Sequence, residues 1–189
     1  IAAQKSFMRG SRLSPGAVVA TGRETQTDVA IVSGLTVVPH PIRRRDYALI
    51  LLTLDTGIRP GEAFQLRLDD VDLRRFVVTV REGYAKTRKA RVLPISSPTA
   101  KAIRRLIDAR PEDWDDTVPL FATYEGRPMN RHVWILRLRQ YSKALGRSIR
   151  PYDLRHVFAL TFLRRGGHVF ALQKTMGHTD LSMTKRYVA

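Results

Sequence analysis

Residues 150–189 read Arg150-Pro-Tyr152-Asp-Leu-Arg155-His156-Val-Phe-Ala-Leu-Thr-Phe-Leu-Arg-Arg-Gly-Gly-His168-Val-Phe-Ala-Leu-Gln-Lys-Thr-Met-Gly177-His178-Thr-Asp-Leu-Ser-Met-Thr-Lys-Arg-Tyr187-Val-Ala. Two apolar helices are expected near Tyr152 to Arg164 and Val169 to Thr175. Gly177 suits the left-handed position that closes a helix, and Thr179 or Asp180 can cap a new one, so the chain breaks and restarts around His178. A single helix running through His178 and Tyr187 would put them about two and a half turns apart, on opposite faces. The break removes that objection, and one pocket can hold both side chains.

Working upstream, two further stretches bear on the same chemistry: Thr56-Gly57-Ile58-Arg59-Pro60-Gly61-Glu62, and Ala85-Lys86-Thr87. Together with Asp153-Leu154-Arg155-His156, Gly177-His178, Thr184 and a tyrosine nine residues after the histidine, they resemble the active-site motifs of the tyrosine recombinases, or phage integrase family. The matches fall in family order and span residues 42 to 188, which makes chance agreement far less credible than for a single motif. The resemblance implies an α+β fold, predominantly α-helical, with a small antiparallel β-sheet. It also implies a site-specific recombinase that cleaves and rejoins double-stranded DNA through a 3′-phosphotyrosyl intermediate.

The residue types fit that reaction on their own chemistry. Displacement at a phosphodiester needs a nucleophile, cations for the pentacoordinate phosphorus and a proton for the leaving 5′ oxygen. Arg59 and Arg155 can grip non-bridging oxygens in fork geometry and stay charged. Tyr187 is the expected nucleophile; its ordinary pKa of about 10 means that neighbouring cations or a base must help it ionise. The bland alternative is a core tyrosine of a terminal helix. Lys86 is the expected general acid, as the resemblance implies for a hairpin lysine, with Lys89 its rival. His178 is expected to hydrogen-bond the scissile phosphate, and Glu62 to orient an arginine without touching DNA. His156 is read as structural and facing elsewhere on its helix.

In one place the chain departs from the family pattern. The histidine expected three residues before the second arginine is Tyr152, whose phenol can donate to phosphate but does not act as a base near neutrality. Tyr152 keeps one rival beside the recombinase, a DNA-binding module of the same fold without catalysis; a type IB topoisomerase, which uses similar chemistry on one strand, is the other.

Composition sets outer bounds. The 189 residues carry 33 Lys plus Arg against 17 Asp plus Glu, a net charge of +16, and 43% are hydrophobic. That describes a folded basic domain with a polyanion partner, and charge alone does not separate DNA from RNA. With no cysteine, disulfides, thiolate metal sites and thiol nucleophiles are excluded. His132, His156, His168 and His178 lack ligand spacing, and no glycine-rich loop precedes Lys-Ser/Thr, so neither a metal nor any other cofactor is expected. No apolar run is long enough to span a bilayer, which makes a cytoplasmic, nucleoid-associated protein the default expectation.

The remaining chain falls into order around these motifs. Residues 1–40 read as a linker or domain edge, and 41–189 as the catalytic domain, expected to be clipped after the nucleophile. A tetramer is expected on DNA and a monomer for this piece alone. An apolar helix from Pro41 to near Gly57 is expected to be buried on most sides, followed by a short helix from Pro60 through Leu68. Asp69 to Asp72 read as a turn. Strands at Phe76–Val80 and Arg91–Ile95 flank a basic tip holding Lys86, Arg88, Lys89 and Arg91, expected to contact DNA. Ser97 or Pro98 opens an amphipathic helix to about Arg110. A helix from Asn130 to Leu145 is expected to turn Val133, Leu136, Tyr141 and Leu145 inward and to offer Arg131, Arg137, Arg139 and Lys143 to the DNA backbone; a merely solvated face is the plainer alternative.

Overall fold

The computed structural model describes residues 41–85, 89–178 and 187. The expected linker at 1–40 lies outside them, as do Lys86, Thr87 and Arg88. Six helices are described: α1 Pro41–Thr56, α2 Pro60–Ala63, α3 Ser97–Ile107, α4 Arg131–Leu145, α5 Pro151–Arg164 and α6 Val169–Met176. Three short strands, β1 Val71–Asp72, β2 Val77–Val80 and β3 Arg91–Pro94, form an antiparallel sheet in the order β1-β2-β3. The α+β class is as the sequence implied.

Helix α1 is the central post, packing mainly against α3 and α5. Ala48, Leu49, Ile50 and Leu52 are fully buried, and Thr53 and Thr56 join them by turning their hydroxyls back to the carbonyls of Leu49 and Leu52. A helix surrounded on most sides has no need of an amphipathic stripe. Its ends are tied by carboxylates. Asp55 accepts from the Ser96 amide at 2.7 Å and from Thr99 Oγ1 at 2.6 Å, fastening α1 to the start of α3.

Asp46, with no exposed surface, accepts from Arg45, from Arg137 Nε at 2.7 Å and from Tyr141 Oη at 2.6 Å, which fastens α1 to α4. Arg137 therefore faces a buried carboxylate, and its expected place on the DNA-facing side of α4 is corrected. The reason is helical phase. Trp134, Leu138, Tyr141 and Leu145, spaced four, three and four, make the inward stripe, and Arg137 lies at its edge. Leu136 is two residues from both Trp134 and Leu138, so it turns outward and is 41% exposed, against the expectation that it would be buried. Arg131, Arg139 and Lys143 are exposed.

Two other expectations change. Asp72 pairs with Val77, and Val71 with Val78, so part of the stretch read as a turn is a third strand. Helix α2 has only four residues, and a separate 3-10 turn at Leu68–Asp70 follows it. Asp70 anchors that turn by accepting from the Arg67 amide and from Arg81.

Asp46→Asn leaves two guanidiniums facing a neutral amide in a buried place, a change that typically costs roughly 3 to 5 kcal/mol. Urea unfolding should show a loss of that order; a loss below about 1 kcal/mol, the value of an exposed pair, would show that the cluster does not hold α1 to α4.

Candidate active site

The site is built around the C-terminal end of α6. Gly177 takes the left-handed conformation, φ 61° and ψ 43°, which only glycine adopts without strain. Its amide donates to the Lys174 carbonyl at 3.1 Å and the His178 amide to the Gln173 carbonyl at 3.0 Å, the paired bonds of a Schellman closure. His178 is thereby fixed one residue past the helix, at the junction expected for it. The cap for a following helix, at Thr179 or Asp180, lies outside the described residues.

A helix end exposes carbonyls and carries partial negative charge. Three arginines from three other elements take up the last of them. Arg91 Nε donates to Thr175 O at 3.0 Å, Arg155 Nη2 to Met176 O at 2.7 Å and Arg59 Nη2 to Gly177 O at 2.9 Å. A Cβ on Gly177 would lie 3.2 Å from Arg59 Nη1 and 3.3 Å from Arg91 Cζ, so the guanidiniums rest directly on the glycine.

Arg155 lies on the buried face of α5 with Leu154, Phe158, Ala159 and Phe162, and only 3% of it is exposed. It also donates to the Gly57 carbonyl. Gly57 is left-handed, and a Cβ there would meet Phe158 Cδ1 at 2.3 Å, so glycine is what allows this carbonyl to reach Arg155. Burial, then the repulsion of Arg59, pushes the Arg155 guanidinium down to about 10, still a cation at neutral pH. Arg155 Nη2 lies 3.0 Å from His178 Nε2. A guanidinium only donates, so in this contact Nε2 is the acceptor.

Arg59 leads into α2, and Glu62 on that helix is 2% exposed. Glu62 Oε2 accepts from the Arg59 amide at 3.0 Å and Oε1 from Arg59 Nη1 at 3.3 Å. The same carboxylate takes both Nη groups of Arg91, at 3.2 and 2.6 Å. Burial works to raise the Glu62 pKa, but Arg91 and Arg59 together hold it below the ordinary value of 4.5. One carboxylate thus sits among three guanidiniums, leaving the site strongly cationic.

Tyr187 packs against the cluster of Phe158, Ala159, Phe162, Leu172 and Met176, close enough for its phenol to interact electrostatically with Arg155. Its ring is 5.1 Å from that of His156, inclined at 42°. This corrects the expectation that His156 faces elsewhere: it is exposed on α5, on the side where the tyrosine lies. Tyr152 is 67% exposed in the first turn of α5. Lys89 is exposed, and Lys86 and Arg88 lie outside the described residues.

Arg91 is the main residue that sequence reasoning misplaced. It is the first residue of β3, 9% exposed in its side chain, and not at a solvent-facing tip. The missed signal was strand parity: Arg91 shares its face with Leu93 and Ile95, both in the core. Among the described residues, no group of three His, Asp or Glu side chains could hold a metal ion, and no helix is long and apolar enough to cross a membrane.

Fold and site together define a mostly helical α+β domain in which arginines surround a helix end beside a tyrosine. A model of the phage integrase family matches residues 28–189, beginning inside the stretch read as a linker, and the chain belongs to that family. It is 34% identical over 177 residues to the tyrosine recombinase XerA of Thermococcus kodakarensis, covering 93% of this chain and 61% of that protein. It is 36% identical over 155 residues to the tyrosine recombinase XerC of Roseiflexus castenholzii, covering 79% and 48%. The chain thus spans about half to three-fifths of the curated relatives it matches. Among solved structures, a XerA recombinase superposes with a TM-score of 0.74 at 25% identity, over 92% of this chain and 61% of that one. The catalytic domain of bacteriophage HP1 integrase shares the fold, with a TM-score of 0.59 at 21% identity, over 89% and 85%.

The lowered Glu62 pKa fixes a pH dependence. A depressed carboxyl contributes stability above its unfolded value and loses it as pH falls through the folded one. Thermal unfolding should therefore show the parent weakening below about pH 4.5. Glu62→Gln should be weaker at pH 7 and should show a shallower acid decline; parallel curves would contradict the ion-pair account.

Proposed function

We propose that the chain is the catalytic domain of a tyrosine-type site-specific recombinase acting on double-stranded DNA. The observation that carries this reading is the convergence of Arg59, Arg155 and His178 on the turn at Gly177, with Tyr187 beside Arg155. Arg59 and Arg155 would share the non-bridging oxygens of one phosphate, and His178 would add a hydrogen bond once it turns from Arg155. Preorganised cations of this kind stabilise charge that grows in the transition state without reorganising at the moment of reaction.

In the first step the Tyr187 oxygen forms a bond to phosphorus and the bond to the 5′ oxygen breaks. The phenol proton leaves to solvent or a neighbouring base, and Lys86 supplies a proton to the departing 5′ oxygen. Rejoining reverses this: a 5′ hydroxyl from the partner strand attacks the phosphotyrosyl link and frees the tyrosine. The bond energy stays in the covalent intermediate, so no nucleotide cofactor is consumed. Exposed Lys89, Arg131, Arg139 and Lys143 would meet the DNA backbone outside the site.

Resemblance to recombinases and integrases supports a tetramer on paired duplexes, at work in the cytoplasm beside the nucleoid. Tn1549 integrase has been solved with a circular intermediate DNA, and XerH in a pre-cleavage complex with its difH substrate. DNA as the partner of this chain is drawn from such likeness together with its +16 charge.

The test uses duplexes enriched by binding from a randomised pool, then nicked so that a cleaved strand cannot be rejoined. The parent should form a denaturation-resistant adduct that maps to Tyr187 after proteolysis, and Tyr187→Phe should form none. Tyr152→Phe should keep the adduct but form it more slowly, by about one charged hydrogen bond, or roughly ten- to a hundredfold. An adduct on Tyr152 would overturn the assignment, and binding without any adduct would favour the noncatalytic module. Affinity should also fall steeply with salt, linearly on logarithmic axes; a flat response would count against a DNA substrate.

A further inference from the structure

Arg91 is basic, adjoins the hairpin and was expected to touch DNA, yet its donors are turned inward. Both Nη groups go to Glu62 and Nε to the Thr175 carbonyl. Its side chain is 9% exposed, and its guanidinium lies against the face of Gly177. Glu62 is the residue that holds Arg59, and Thr175 to Gly177 is the turn that carries His178.

We propose that Arg91 is a positioning residue for phosphodiester cleavage: from the first position of β3 it sets Arg59 through Glu62 and His178 through the end of α6. It thereby fixes the strand that ends the Lys86 hairpin in register with the phosphate-binding groups. The role needs a planar fork. Lysine could neutralise Glu62, but it could not satisfy both carboxylate oxygens and the Thr175 carbonyl together. The strand pairing supports the register, since Arg91 lies opposite Val80 and shares its face with Leu93, so the backbone that carries it is held by the sheet and the core.

This rests on the recombinase reading for its rate measurement, and a second measurement is independent of activity. Arg91→Met and Arg91→Lys would be compared with the parent on the nicked, pool-selected duplex. A positioning role predicts that Arg91→Met leaves DNA affinity and its salt slope unchanged while single-turnover cleavage falls by about ten- to a hundredfold, with Arg91→Lys in between. In a Glu62→Gln background, Arg91→Met should add much less than it does alone, because the two act through one contact. The His178 imidazole resonances should shift in Arg91→Met, with or without DNA.

Three results would overturn the proposal. Weaker binding with a salt slope smaller by about one phosphate contact would make Arg91 a DNA ligand. A lower melting temperature with an unchanged cleavage rate per folded molecule would make it a structural brace. Unmoved His178 resonances would deny the link to the turn. If Arg91→Met fails to fold, Arg91→Lys decides by the same readouts. If the parent forms no adduct, the recombinase reading fails, while the His178 resonances still decide the role of Arg91.

Discussion

The site depends on the capping of one helix end by three guanidiniums. Thr175, Met176 and Gly177 lie where α6 runs out of amides, and each carbonyl receives an arginine, from β3, α5 and the start of α2 respectively. Brought this close, three cations repel, and two things hold them. The helix end supplies partial negative charge and acceptors, and Glu62 supplies a full charge shared by Arg59 and Arg91. Neither would suffice without burial, which shields the pairs from water and makes the bonds directional. The cluster is left with surplus positive charge, as the proposed binding of a phosphate requires.

The rest of the fold serves to bring those elements together. Helix α1 ends at Gly57, whose carbonyl receives Arg155, and two residues later the chain delivers Arg59. Buried Asp46 and half-buried Asp55 fix α1 to α4 and α3, so α1 cannot shift without breaking the ion pair at the first or the hydrogen bonds at the second. Phe158 leans on Gly57 from α5, so the same packing contact that seats the second arginine's helix also sets the loop that carries the first. The pieces come from distant parts of the chain, and no single segment contains the site.

Much of this was legible in the sequence because the motifs carry both chemistry and backbone instructions. Gly177-His178 signalled a left-handed closure, and the closure is there; Arg155 falls in phase with Leu154, Phe158 and Phe162, so its burial could have been read from helical spacing. What failed were assignments of direction made from charge alone. Arg91 and Arg137 were sent toward DNA because they are basic, but strand parity places the first with Leu93 and helical phase places the second beside Asp46. Their acidic partners, Glu62 and Asp46, stand 29 and 91 residues away in sequence, and a pairing at that range leaves no local trace. His156 was misjudged for a related reason: Tyr187 packs on the cluster formed by α5 and α6, with its ring near that of His156, and a contact at that range leaves no local trace.

The measurement that bears most directly on the account is a structure of this domain on nicked duplex DNA with vanadate in place of the scissile phosphate. The account predicts that Arg59 and Arg155 both reach non-bridging vanadate oxygens while keeping their bonds to Gly177 and Met176, with Tyr187 in line with the leaving 5′ oxygen. Vanadate bound elsewhere, for example against Arg131 and Arg139 on α4 with the three-arginine cluster unchanged, would contradict it.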